Sequence, residues 1–277
     1  KVSPAEDFYA KASSYDIRPK KPQWIYSYEI STVFSYQRRN RNPSILSRTN
    51  LITGLKTELS LCFFKPKRES VCWELPLGKL CFTGGSSGHY EPSSTVEFID
   101  TFREFAPSRQ PNMLIGRRSH SVTYYDNYLY AIGGTVIYSS RECERFNVTL
   151  EKWEAFEPLP QECTCVNVIA LDESRCLYAL GGEVTGHTIL NLIQRLSLRS
   201  MKWNILKLKL PSPAQCIASF KLDESQVYFV ISKKLYCFTP QASSIKLVKV
   251  LRRDVISFGP SYYSKGVLYT TRRGTSD

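Results

Sequence analysis

YLYAIGG, residues 128–134, is an apolar run that stops in two adjacent glycines. One Gly-Gly pair closes many ordinary hairpins, so its meaning depends on recurrence. It does recur. Leu80-Cys-Phe-Thr-Gly84-Gly85, Leu129-Tyr-Ala-Ile-Gly133-Gly134 and Leu177-Tyr-Ala-Leu-Gly181-Gly182 align without gaps, their first residues 49 and 48 positions apart. A fourth copy, Val227-Tyr-Phe-Val-Ile-Ser232, follows 50 residues later and has lost both glycines, and a weaker fifth begins at Leu268. An apolar strand ending in paired glycines implies a place where the backbone turns tightly or is approached closely.

Other features keep the same phase. Trp153 and Trp203 each lie 24 residues before the next copy's first residue, Leu177 and Val227. Alternating segments stand between each doublet and its Trp: Cys143-Glu-Arg-Phe146 and Ile193-Gln-Arg-Leu196. Val96-Glu-Phe-Ile99 is the matching segment one copy earlier, with Ala106 where a Trp would stand. Before each doublet strand comes another apolar run, such as Ser121–Tyr125, ended by a short polar turn. Each unit thus reads as four short strands with almost no helical periodicity. Tandem four-stranded units near fifty residues are the pattern of propeller blades.

The doublets, the in-phase Trp residues and their spacing resemble the kelch-repeat β-propellers, closely over 80–207 and more weakly towards both ends. The resemblance implies an all-β, six-bladed kelch-type propeller of four-stranded antiparallel blades with degenerate or incomplete terminal blades. The blades fall at 24–63, 68–107, 118–157, 163–207, 213–250 and, in part, 255–277, after an N-terminal arm of residues 1–23. In that family Gly84, Gly85, Gly133, Gly134, Gly181 and Gly182 would lie beside the central channel where only bare backbone fits. Trp153 and Trp203 would pack between blades. A WD-type propeller would need Trp-Asp ends, and the chain has no Trp-Asp pair.

Composition narrows the function classes. Among 277 residues, no run of eighteen apolar residues could span a membrane as a helix. The chain opens at Lys1, so it reads as a piece of a longer protein, and no signal-peptide pattern is visible. Nine cysteines, mostly inside apolar strands and without a CxxC pair, imply free thiols in a reducing, intracellular and cytoplasmic setting. The three histidines, His89, His120 and His187, make no metal set, and no acid is expected to be fixed beside His89 or His187. P-loop, GxSxG and HExxH patterns are missing, so no catalytic residue, cofactor or metal is assigned. Copper-oxidase-like propellers use paired His, Tyr and Cys ligands that cannot be placed here.

The net charge of +12 is uneven. Residues 1–79 carry 14 basic and 7 acidic side chains, 80–206 carry 11 and 14, and 207–277 carry 12 and 4. A closed ring would join the two basic ends into one surface suited to an acidic protein partner. Partner contacts are expected on loops, which carry binding in such folds. By resemblance to kelch domains that capture peptides, they fall at Arg117, Arg118, Ser119 and His120, at His89 and Tyr90, and at Tyr138. The basic flank adds Lys233, Lys234, Arg252 and Arg253. The expected function is a non-catalytic protein-interaction module, a scaffold subunit of a larger, cytoskeletal or ciliary assembly. The competing readings are a substrate adaptor for ubiquitin ligation and a basic subunit contacting RNA or DNA.

Overall fold

The computed structural model describes residues 24–29, 44–50, 56–61, 67, 69–76, 79–86, 91–100, 107–255, 257, 261–264 and 267–269. The arm at 1–23 and the candidates His89 and Tyr90 lie outside the described residues. The described chain is all β. A three-stranded sheet comes first: β1 (Trp24–Glu29), β2 (Ser44–Asn50) and β3 (Lys56–Leu61). Four four-stranded antiparallel sheets follow, here called units one to four.

Unit one is β4 (Val71–Leu75), β5 (Lys79–Thr83), β6 (Val96–Asp100) and β7 (Pro107–Gln110). Unit two is β8 (Ser121–Tyr125), β9 (Tyr128–Ile132), β10 (Cys143–Asn147) and β11 (Lys152–Phe156). Unit three is β12 (Asn167–Leu171), β13 (Cys176–Leu180), β16 (Ile193–Ser197) and β17 (Lys202–Ile205), with a small hairpin, β14 (Glu183–Val184) and β15 (Thr188–Ile189), inserted after β13. Unit four is β18 (Ala218–Phe220), β19 (Val227–Ile231), β20 (Lys234–Thr239) and β21 (Ser244–Val250). A last pair, β22 (Tyr262–Ser264) and β23 (Val267–Tyr269), closes the described chain.

The sequence patterns follow from burial. Second strands such as β13 are buried along their whole length, because neighbouring units cover both faces. Fourth strands such as β11 keep only Trp153 buried and alternate with exposed residues. That is why the second strands read as continuous apolar runs and the fourth strands alternate. One apolar cluster joins units one and two through Cys81, Val96, Phe98, Phe146 and Trp153. Others join units two and three around Leu159, Leu177 and Trp203, and units three and four around Tyr178, Phe229 and Phe238.

The glycine doublets sit at these seams. A Cβ on Gly84 would stand 2.3 Å from the Arg117 carbonyl oxygen, one on Gly133 2.5 Å from that of Cys163, and one on Gly181 2.1 Å from that of Ala214. In each case the carbonyl belongs to the segment leading into the next unit's first strand. The second glycine of each doublet donates its N–H to that same oxygen, at 2.9, 2.9 and 2.8 Å. The space that forbids a side chain is therefore taken by a neighbouring backbone.

Two residues beyond each of these carbonyls runs a second set of inter-unit bonds. Ser119 N–H donates to the Glu69 carbonyl, Cys165 to Ser119, Cys216 to Cys165 and Ser257 to Cys216. Glu69, Ser119, Cys165 and Cys216 all hold positive φ, between 51° and 61°. L-residues enter that region at a cost of roughly 1–2 kcal/mol each. At Ser119, Cys165 and Cys216 this conformation accompanies an N–H bonded to the preceding unit.

The seam separates two kinds of glycine. Gly186 also has positive φ, yet nothing lies within 4 Å of a Cβ there. Gly186→Ala is expected to cost about 1–2 kcal/mol, from backbone conformation alone. Gly181→Ala adds a clash with the Ala214 carbonyl, for a total of about 3–5 kcal/mol. Denaturant unfolding of both variants checks this, and equal losses would refute the seam.

Candidate functional site

Antiparallel strand order puts the candidate residues at one end of the units. A segment that leads into a first strand and a loop that joins second to third strands share an end, as the pairing of Ser121 with Ile132 shows. Arg117 to His120 lie in such a lead, and Tyr138 and His187 in second-to-third loops. Lys233 ends the equivalent turn of unit four and Lys234 starts β20, and Arg252 and Arg253 follow the unit's last strand.

Burial divides this set. Arg117, expected to face a partner, is fully buried and paired with buried Glu144 at 2.7 Å. Its other terminal nitrogen donates to the carbonyls of Gly133 and Glu142, both at 2.8 Å. Glu144 in turn accepts from the Leu114 N–H at 2.6 Å and the Ile115 N–H at 3.4 Å. The pair thus latches the lead to the third strand. A buried charge needs such partners, because desolvation without them would be prohibitive.

His120 is also buried, against the expectation of a partner contact. Its Nε2 lies 2.8 Å from the Thr83 hydroxyl of unit one. Burial, helped by the Arg117 charge, holds its pKa well below the usual imidazole value. Arg118 and Ser119 both bond Glu69 of unit one, at 2.7 and 2.8 Å. These lead residues staple neighbouring units together. A Pro-Arg-type lead reads as an exposed loop in sequence, because burial of Arg117 depends on an acid 27 residues away.

The loops differ. Ile137 and Tyr138 form the tip of a tight turn and are 80% and 68% exposed. Behind them, Ser139 and Thr185 exchange hydrogen bonds, tying the loops of units two and three together. His187 stands exposed on that second loop, with Nδ1 2.6 Å from Glu183. An acid therefore does stand beside this histidine, contrary to expectation, because the β14–β15 hairpin folds position 183 back on 187. Among the described residues no group of three or more His, Cys, Asp or Glu is placed to hold a metal.

Glu144 was the signal missed in the sequence. The second residue of the third strand is Glu144 in unit two and Gln194 in unit three. Gln194 makes the same latch, accepting from the Gln161 N–H at 2.9 Å and donating to the Gln161 carbonyl. Cys163 takes the place of Arg117, with Gln194 Nε2 3.8 Å from its sulfur. A charged pair and a neutral pair thus fill equivalent slots.

Two outcomes follow. Arg117→Ala or Glu144→Ala alone strands a buried charge, at about 3–5 kcal/mol. The double variant Arg117→Cys/Glu144→Gln copies unit three and is expected to lose less than either, as read by thermal unfolding. For His120, folding favours the neutral ring, so its contribution is whole above the ordinary value of 6.5 and falls as pH drops below it. His120→Asn should flatten the stability profile between pH 6.5 and 5, and an unchanged slope would exclude His120 as its source.

No curated protein sequence matches the chain. The protein-family comparison agrees with the geometry at unit two, covering the end of its lead, its four strands and the start of the next lead. Residues 116–160 are a kelch motif.

Proposed function

We propose that the chain is a non-catalytic protein-interaction module that serves as a scaffold subunit of a larger assembly. Kelch repeat domains commonly bind proteins, and this one exposes several large apolar side chains, three of them in loops at the end that holds Arg117 to His120. The observation that carries the reading is the division at one end of the units. Arg117, His120 and Glu144 are consumed in holding the fold, whereas Leu114, Ile137 and Tyr138 stand exposed in the loops. Exposed aromatic and aliphatic residues in loops suit a partner's surface.

The finer architecture we read as a six-bladed ring. The backbone bonds from Glu69 through Ser119, Cys165 and Cys216 to Ser257 link successive units in order, which supports radial repetition. We place the protein in the cytoplasm. The eight described cysteines are free, and burial pushes the Cys143 thiol up to about 12, which suits a structural thiol in a reducing compartment. Among the described residues no helix is long and apolar enough to cross a membrane. The partner is expected to present an acidic surface to the basic flank of unit four.

The test is native size in source extract together with cross-linked capture of the tagged chain. A module in an assembly elutes well above monomer size, and Ile137→Asp/Tyr138→Asp removes its captured partners by about tenfold or more, as loss of an apolar anchor does. Elution as a monomer overturns the scaffold reading. Partners retained by the double variant would show that this loop tip is not the contact.

A further inference from the structure

The latch seen in units two and three is lost in unit four. Phe229 pairs with Tyr236, as Ala131 pairs with Glu144 and Ala179 with Gln194, so Tyr236 occupies the latch position. The lead residue facing it is Ser212, two before Ala214, as Ile115 and Gln161 stand two before Arg117 and Cys163. Ser212 lies between Pro211 and Pro213, so its N–H is the single backbone donor of that tripeptide. No described group accepts from it.

Unit four has also lost its long second-to-third loop. β19 turns into β20 through Ser232 and Lys233 alone, where unit two spends ten residues. A cleft of about 470 Å³ opens there, lined on one side by Pro211 and Ser212 and on the other by Ile231, Tyr236 and Val250. Val250 is 61% exposed, and Leu247, which pairs with Tyr236, is 54% exposed. Lys233 and Lys234 border the cleft, Arg252 and Arg253 follow β21, and all four side chains are exposed. None of the four is in an ion pair among the described residues, and Asp254 is the one acid lining the cleft.

We propose that this cleft docks an acidic, partly apolar segment of a protein partner, whose carboxylate bonds the Ser212 N–H as Glu144 bonds the lead of unit two. The charge of the rim selects the acid, and Ile231, Tyr236 and Val250 take an apolar neighbour. The Ser212 amide fixes where the carboxylate sits. This goes beyond the module reading, on which it rests, by naming the place and the chemistry of one partner contact.

The test uses a random dodecapeptide library displayed on phage, selected on the whole chain and measured by fluorescence anisotropy. Enriched peptides should pair Asp or Glu with an aliphatic or aromatic residue. Lys233→Glu/Lys234→Glu/Arg252→Glu/Arg253→Glu should weaken them about tenfold or more and abolish the salt dependence. Ser212→Pro should weaken them by about tenfold, the size of a charge-assisted hydrogen bond. Tyr236→Glu, which supplies the carboxylate from within, should block binding while unfolding midpoints show that it still folds.

Failure to enrich acidic peptides overturns the proposal, as does binding unmoved by the rim and Ser212 variants. A single-stranded oligonucleotide that binds the same residues and displaces the peptides also overturns it, in favour of nucleic acid. Partners captured from extract that ignore every cleft variant would remove the cleft while leaving the module reading in place.

Discussion

A backbone carbonyl pressed against a glycine is the contact on which the described repeats depend. Units one to three each end their second strand in a doublet whose first glycine lies against the lead of the next unit. The second glycine then takes that carbonyl as a hydrogen-bond acceptor. Steric exclusion and hydrogen bonding thus act on the same oxygen. A side chain at the first glycine would push the lead away and strain the N–H bond beside it. Only when the lead is seated can the next first strand pack against the previous one, so the seam transmits order from unit to unit.

Around that seam the units solve one problem in different ways. The lead exposes N–H groups towards the third strand, and a polar side chain there must receive them. Unit two uses a carboxylate, which brings a buried charge and so requires Arg117. Unit three uses the neutral amide of Gln194, needs no counter-ion and has Cys163 in the arginine's place. Replacing an ion pair by a neutral pair of similar reach removes two desolvation costs together with one strong attraction, so the exchange can leave stability little changed. Unit four has Tyr236, whose ring stacks on Phe229. That residue contributes apolar packing and leaves the lead unlatched.

These differences bear on function because the latches and loops share one end of the molecule. Where the latch is made and the loop is long, the polar groups are internal and the exposed surface is the apolar tip at Ile137 and Tyr138. Where the latch and loop are lost, apolar floor and basic rim lie open together around Tyr236 and Val250. A repeat protein thereby acquires unlike surfaces from like units. Its degenerate copies differ most at the edge where a binding partner could gain from the difference.

The sequence by itself determined the repeat. Leu129-Tyr-Ala-Ile-Gly-Gly and its copies, the apolar second strands and Trp153 and Trp203 in phase are local patterns fixed by burial on two faces and by glycine positions where a Cβ would meet a carbonyl oxygen. Such constraints act on a residue wherever its unit lies, so they can be read without contacts. The roles of Arg117 and His120 were decided by tertiary structure alone. An arginine between a glycine and another arginine in a loop is ordinarily solvated, and only the arrival of Glu144, Gly133 and Glu142 from elsewhere in the unit makes the burial of Arg117 affordable. His187 gained Glu183 through a hairpin that two-residue strands do not announce. The open latch of unit four lay in the sequence as Tyr236, but its meaning appeared only when the register set it opposite Phe229 and beside Ser212. Local patterns specify which strand a residue occupies, whereas polar partnerships are pairwise and long-range, and folding alone brings the two members together.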